Sequence, residues 1–151
     1  MKLFAQLTEK GVSATAAIAI PGCGIFGQTV NFIVDTGADI TSLSEFEAMK
    51  LGINVKSLPA SRKQTITGGG VAETYVLADV MLILPGESGA REFHMDFLHI
   101  LCIPRRKGAR GDREDRIRLA FPNLLGRDFL KTHKVSLVAD FNRGCAFMEL
   151  P

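Results

Sequence analysis

The chain has no apolar run approaching the ~20 residues that a membrane-spanning helix needs, so no transmembrane helix is expected. The apolar stretch 14–20 is short, contains Thr15 and follows Glu9, Lys10 and Gly11 in place of a basic leader, which argues against a signal peptide. Cysteine is scarce. Cys23, Cys102 and Cys145 make neither an even framework nor a Cys-x-x-Cys pair, and the expectation is reduced thiols in a cytoplasmic protein. Charge of one sign is also missing, because a net charge of +2 is too small to imply a polyanionic partner. No internal repeat is visible, and helices do not alternate with strands as they would in a two-lobed α/β protein.

What remains is an ordinary globular composition. With 151 residues, 46% of them hydrophobic and 23% charged, the chain can build one substantial core, and residues 1–151 are read as a single domain. The one uneven stretch is 105–118, where Arg105, Arg106, Lys107, Arg110, Arg113, Arg116 and Arg118 surround Asp112, Glu114 and Asp115. Interrupting acids, and glycines at 108 and 111, point to a solvated, flexible charged loop. Without interleaved aromatics or a recognised binding motif, nucleic acid is an unlikely partner. Arg110-Gly111-Asp112 spells an adhesion-type tripeptide, which in a cytoplasmic protein is chance.

Hydrophobic patterning predicts a mainly β protein with one or two short helices. Residues 2–8 alternate Leu3, Ala5 and Leu7 with polar neighbours. Residues 13–20 and 29–34 make a hairpin about the break Pro21-Gly22-Cys23-Gly24. Ser44 and Glu47 have capping-box spacing, and Phe46, Met49 and Leu51 fit the apolar face of a short helix ending at Gly52. Strands are expected over 71–84 and 91–103, the latter with Phe93, Met95 and Phe97 on one face. A brief helix near 126–131 precedes a closing hairpin of 135–140 and 145–150 about Asn142-Arg143-Gly144. His94 and His99, five apart on one strand, project to opposite faces and suit no metal site.

The chemistry concentrates in Phe32-Ile33-Val34-Asp35-Thr36-Gly37-Ala38-Asp39. Three successive apolar residues imply a strand buried on both faces that delivers Asp35 where solvent is scarce and its proton affinity can rise. Thr36 supplies a stiff hydroxyl donor, and Gly37 lets the chain turn sharply and lets a second chain or a substrate approach. Asp-x-Gly after an apolar strand also occurs in phosphate-binding loops of the actin and sugar-kinase superfamily. This chain is too short for the two large lobes of that superfamily.

At these residues the sequence resembles the retropepsin-like aspartic proteases, the family of retroviral proteases and their cellular and prokaryotic relatives. Leu124-Leu125-Gly126-Arg127-Asp128 is similar to the segment that underlies that family's catalytic loop and leads into a short helix. Between the two lies Thr65-Ile66-Thr67-Gly68-Gly69-Gly70-Val71, a glycine-rich turn where the family carries its flap. The three features follow the family's order and span most of the chain, from about Ser13 to Leu150. The resemblance implies a single-domain, mainly β acid-protease fold acting as a homodimer on a peptide or protein substrate, without metal or organic cofactor.

Aspartic proteolysis needs two carboxylates that hold one water and share one proton. This chain has one Asp-Thr-Gly. Asp39, Asp79, Asp96, Asp112, Asp115, Asp128 and Asp140 all lack the Thr/Ser-Gly that follows Asp35, so the second catalytic aspartate is expected to be Asp35 of another copy.

In the roles implied by the resemblance, Asp35 activates the lytic water, Thr36 bonds across the dimer axis, and the Gly37 carbonyl meets the substrate main chain. Ala38 and Asp39 line the site with Gly68, Gly69 and Gly70 of the flap. Leu125, Gly126, Arg127 and Asp128 support it, Arg127 by pairing with Asp39, and the terminal segments 1–8 and 145–150 build much of the dimer interface. Ala38, where some relatives carry Ser, implies a mildly acidic optimum. Three glycines at the flap and the longer segment before Leu124 depart from the retroviral pattern. The alternative is a non-catalytic member of the fold that serves for dimerisation or peptide binding in a regulatory system.

Overall fold

Strand follows strand in this chain because apolar and polar residues alternate and glycines or tight turns end each run. The computed structural model describes residues 1–61, 65–67, 70–103 and 121–151. Among these the strands are β1 (Lys2–Thr8), β2 (Gly11–Ile20), β3 (Ile25–Val34), β4 (Ser42–Ser44), β5 (Thr65–Thr67), β6 (Gly70–Leu84), β7 (Arg91–Cys102), β8 (Asn123–Leu125), β9 (Ser136–Asp140) and β10 (Cys145–Glu149). Two short helices, α1 (Glu45–Lys50) and α2 (Arg127–Thr132), interrupt them. The strands join in the order β5-β6-β7-β4-β8-β3-β2-β1-β10-β9, and β2 also pairs with β6. The protein is mainly β with short helices, as its patterning predicts.

The core follows the two-residue period of the strands. Val12, Ala14, Ala16, Ile18 and Ile20 of β2 point inward and are buried with Val30, Phe32, Leu82, Leu84, Leu98 and Ile100. The hairpin of β2 and β3 runs from Ser13↔Ile33 to Ile20↔Ile25 with an irregularity at Ile18/Ala19. Phe32 is 1% exposed; its truncation to alanine would cost about 3–5 kcal/mol. Ile33 departs from expectation, being only partly buried. The face of β3 that carries Asn31 and Ile33 looks into an open pocket of about 670 Å³, also lined by Thr8, Ser13, Thr15 and Asn123. The strand that delivers Asp35 is therefore fully buried on one face only.

Two more expectations are corrected by packing. Ser44 caps α1 as its spacing predicts, its Oγ accepting from the Glu47 amide at 3.1 Å. The helix buries Ala48, however, while Phe46 and Met49 are 43% and 66% exposed. A six-residue helix held by its cap and by the small Ala48 need not turn its larger residues inward. On β7, Phe93 and Met95 are buried but Phe97 is 58% exposed, and Leu98 and Ile100 take its place inside. The cause lies opposite, at Asp79 of β6, whose φ of 53° breaks the pleat. Val80↔Met95 and Leu77↔Leu98 face the core on either side of the break, and Ala78↔Phe97 faces out.

The chain termini are tied together. β1 pairs with β10 from Lys2↔Glu149 to Ala5↔Ala146, and β10 pairs with β9 from Cys145↔Asp140 to Glu149↔Ser136. The other edge of β1 is engaged as well, since the Phe4 amide donates to the Pro85 carbonyl at 2.9 Å. The closing hairpin turns on the Asp140 carboxylate, which accepts from the amides of Asn142 and Arg143, and on Gly144 at φ 65°. The two terminal segments thus pair with each other within the chain.

Candidate active site

The site is built where β3 and β8 end side by side. These strands run parallel, Phe32↔Asn123 to Val34↔Leu125. Immediately beyond, the Asp35 amide donates to the Leu125 carbonyl at 3.0 Å, which pins the start of the loop to the buried end of β8. The loop then closes on itself. Ala38 N–H donates to the Asp35 carbonyl at 3.2 Å, and Gly37 N–H donates to Asp35 Oδ1 at 2.8 Å. The described residues donate no hydrogen bond to Oδ2. A Cβ at position 37 would stand 3.1 Å from Oδ1, so any side chain there would crowd the carboxylate. Asp35 is partly buried while Thr36 and Gly37 are exposed. Solvent reaches the carboxylate of the single chain, contrary to the expectation that it lies where solvent is scarce.

Beneath the loop, α2 uses its otherwise unsatisfied first amides as clamps. Arg127 N–H donates to the Ala38 carbonyl at 2.8 Å and Asp128 N–H to the Asp39 carbonyl at 3.3 Å. The Arg127 guanidinium rests against the Asp39 carboxylate, with both side chains largely exposed. Gly126 is required by close approach, since a Cβ there would lie 2.5 Å from the carbonyl carbon and oxygen of Ile40.

Thr41, fully buried, ties these parts together. Its amide and hydroxyl donate to the two carboxylate oxygens of Asp128 at 2.9 and 2.6 Å, and its Oγ1 accepts from the Gly126 amide at 2.9 Å. Asp128 Oδ1 also accepts from the Phe129 amide at 2.7 Å. A second tie is Asn123, whose Nδ2 donates to the Asn31 carbonyl at 3.0 Å and whose Oδ1 accepts from the Ser44 amide at 2.9 Å. Neither Thr41 nor Asn123 stood out from the sequence. The available signal was a small polar residue inside each of the runs Ile40-Thr41-Ser42-Leu43 and Pro122-Asn123-Leu124, where only a satisfied hydrogen bond tolerates burial.

Two histidines flank this frame. Burial lowers the His99 pKa below its usual 6.5, against smaller upward effects of Asp128 and of a hydrogen bond to the Thr41 backbone. Burial likewise lowers His133, packed 5.0 Å from the Phe93 ring and 4.9 Å from the Phe129 ring. Among the described residues no three His, Cys, Asp or Glu side chains are placed to hold a metal ion, and no helix is long and apolar enough to cross a membrane.

The structure brings Asp35, Thr36, Gly37, Ala38 and Asp39 into one loop lying on Leu125, Gly126, Arg127 and Asp128. Gly70 opens β6 opposite Thr67 in an antiparallel hairpin with β5. Gly68, Gly69 and the charged segment 105–118 lie outside the described residues.

A family profile described as aspartyl protease matches residues 22–129, from the β2–β3 turn through the start of α2. The chain belongs to the aspartyl protease family. No curated protein sequence matches it. Among solved structures, the chain is similar to a retropepsin-like aspartic protease from Rickettsia conorii, at 19% identity and a TM-score of 0.58, over 98% of this chain and 89% of the other. That likeness gives the protein the retropepsin-like fold. Lower-scoring matches are the EIAV protease complexed with the inhibitor HBY-793 (18% identity, TM-score 0.47, 84% of this chain and 91% of the other) and the retroviral protease-like domain of Ddi1 from Leishmania major (14%, 0.47, 91% and 93%).

Proposed function

We propose that this aspartyl protease is an endopeptidase whose active form is a homodimer, with one Asp35 from each copy at a shared site. The observation that carries the reading is the Asp35 loop itself. Its carboxylate is oriented by the Gly37 amide, its backbone is fixed by Leu125 and α2, and the chain supplies one such loop. The nearby carboxylates are otherwise engaged, Asp39 by Arg127 and Asp128 by Thr41.

In the dimer the two Asp35 side chains hold one water and share one proton, because two carboxylates so close cannot both ionise. The ionised member takes a proton from the water as its oxygen attacks the peptide carbonyl carbon, and the protonated member hydrogen-bonds the carbonyl oxygen. Collapse of the tetrahedral species breaks the C–N bond as a proton passes from the pair to the leaving nitrogen, which leaves a carboxylic acid and an amine. Thr36 locks the two loops across the axis, and the exposed Gly37 offers its carbonyl to the substrate main chain beside Ala38 and Asp39. The β5–β6 hairpin, with Gly68, Gly69 and Gly70, covers an extended peptide.

The test is cleavage of a denatured protein or a peptide library by wild type and Asp35→Asn, each purified free of host proteases. Loss of all cleavage in a folded Asp35→Asn protein is the expected result. Near-normal turnover would overturn the mechanism, and an inactive wild type would favour the non-catalytic alternative.

A further inference from the structure

Exposure alternates along the end of β3 and on into the loop. Val30, Phe32 and Val34 are buried, whereas Asn31 is exposed and Ile33 and Asp35 are half-buried. The Asp35 amide continues the ladder to β8, so Asn31, Ile33 and Asp35 share one face. The pocket of about 670 Å³ opens on that face at Asn31 and Ile33, and its size falls among ligand sites of about 300–1,000 Å³. At about 3.3 Å per residue, Ile33 stands about 7 Å and Asn31 about 13 Å from Asp35 along the strand.

Two kinds of surface line this pocket. Phe46 of α1, Phe121, Pro122 and Ile33 are apolar, and Phe46 is 43% exposed. Thr15 and Asn31 are polar. Thr15 Oγ1 donates to Asn31 Oδ1 at 2.6 Å, which turns the Asn31 Nδ2 donors away from Thr15; among the described residues they meet no acceptor. The charged lining residues are Glu9, Lys10 and Glu47, the last paired with Lys50 at 3.4 Å. With both signs present, the pocket has no field that selects a polyanion. An extended peptide sends its side chains alternately to two sides and leaves main-chain carbonyls between them, which suits an aromatic wall beside an amide donor.

We propose that this pocket is a remote docking cleft for the substrate. It seats a large apolar side chain of an extended peptide against Phe46, Phe121 and Pro122, while the Asn31 amide donates to a peptide carbonyl. The proposal rests on the protease reading above, with cleavage at Asp35. The distance of about 13 Å along β3 sets the docked residue about four positions from the scissile bond. Every residue of the cleft comes from one chain, so binding there does not need a second Asp35, and in the dimer each copy brings its own cleft. The preferred substrate is therefore a protein segment unfolded over several residues with a bulky apolar residue at that remove. A peptide too short to reach the cleft forgoes the contact.

Peptides cut by the wild type and lengthened one residue at a time test this. kcat/KM should rise about tenfold when the chain reaches about the fourth residue from the cut bond with Phe or Leu there, chiefly through a lower KM, and should not rise with Asp there. Phe46→Ala and Asn31→Ala should each remove most of that rise. A kcat/KM independent of length, or a rise that persists in both folded variants, would overturn the cleft and leave the protease reading standing.

Binding to Asp35→Asn separates the two readings. A fluorescein-labelled peptide of alternating Phe and Ser should bind this protein in anisotropy titrations, and adding Phe46→Ala should weaken binding about tenfold. A wild type that cleaves nothing while this binding and its dependence on Phe46 hold would keep the cleft and discard the protease. Should either variant fail to fold, NMR of Asp35→Asn with the same peptide decides. Shifts at Thr15, Asn31 and Phe46 support the cleft; shifts confined to other residues overturn it.

Discussion

Thr41 and Asp128, 87 residues apart, are joined by two hydrogen bonds of 2.9 and 2.6 Å that tie the segment after the Asp35 loop to the first turn of α2. Through Thr41 Oγ1 the same contact reaches the Gly126 amide. Asp128→Ala leaves the buried Thr41 amide and hydroxyl unpaired, at a cost of about 1–3 kcal/mol. The urea midpoint should fall accordingly. Asp128→Asn, which keeps an acceptor of the same shape, should lose less.

Gly126→Ala places a methyl 2.5 Å from the Ile40 carbonyl, a backbone atom that cannot rotate away. The clash must displace the loop relative to α2, and overpacking of this kind costs about 1–3 kcal/mol. Thermal unfolding should show a lowered midpoint, with kcat/KM falling at temperatures where the protein is still folded. A neutral substitution would show that the approach is looser than described.

The Arg127–Asp39 pair is the converse case. Its side chains are 47% and 78% exposed, so Arg127→Ala should change stability by less than about 1 kcal/mol, the backbone bond from Arg127 to Ala38 being unaffected. A loss of several kcal/mol in denaturant titration would contradict this.

Acidification should weaken the fold through His99 and His133. Burial holds both below the usual 6.5, so the unfolded chain takes up protons in a range where the folded chain does not. The stability is complete above about 6.5 and is lost as the pH falls toward the lowered folded values. Urea midpoints measured between pH 7 and pH 5 should therefore decline, and His99→Gln should flatten part of that decline. An equal slope in the variant would remove His99 from the account.

The Asp35 loop and its support were legible because each depends on local sequence. An apolar strand running into Asp-Thr-Gly and a Leu-Leu-Gly-Arg-Asp segment announce their own turns, and Ser44 announces its helix. The rest depended on distant partners. Asp79 shifts the buried phase of β7 from across the sheet, which no pattern within 91–103 reveals. Ala48 rather than Phe46 anchors α1 because of what lies beneath the helix, and Thr41 gains its importance only when Asp128 and Gly126 are brought to it. The pairing of β1 with β10 likewise joins the two ends of the sequence, which no local pattern reveals.

The most direct measurement of the central claim mixes wild type with Asp35→Asn at fixed total protein, allows subunits to exchange, and follows peptide cleavage. If two Asp35 residues from two chains make one site, activity should fall as the square of the wild-type fraction, to about a quarter in an equal mixture with random pairing. Activity that falls only in proportion to the wild-type fraction, to about a half, would mean that each chain works alone and would contradict the shared site.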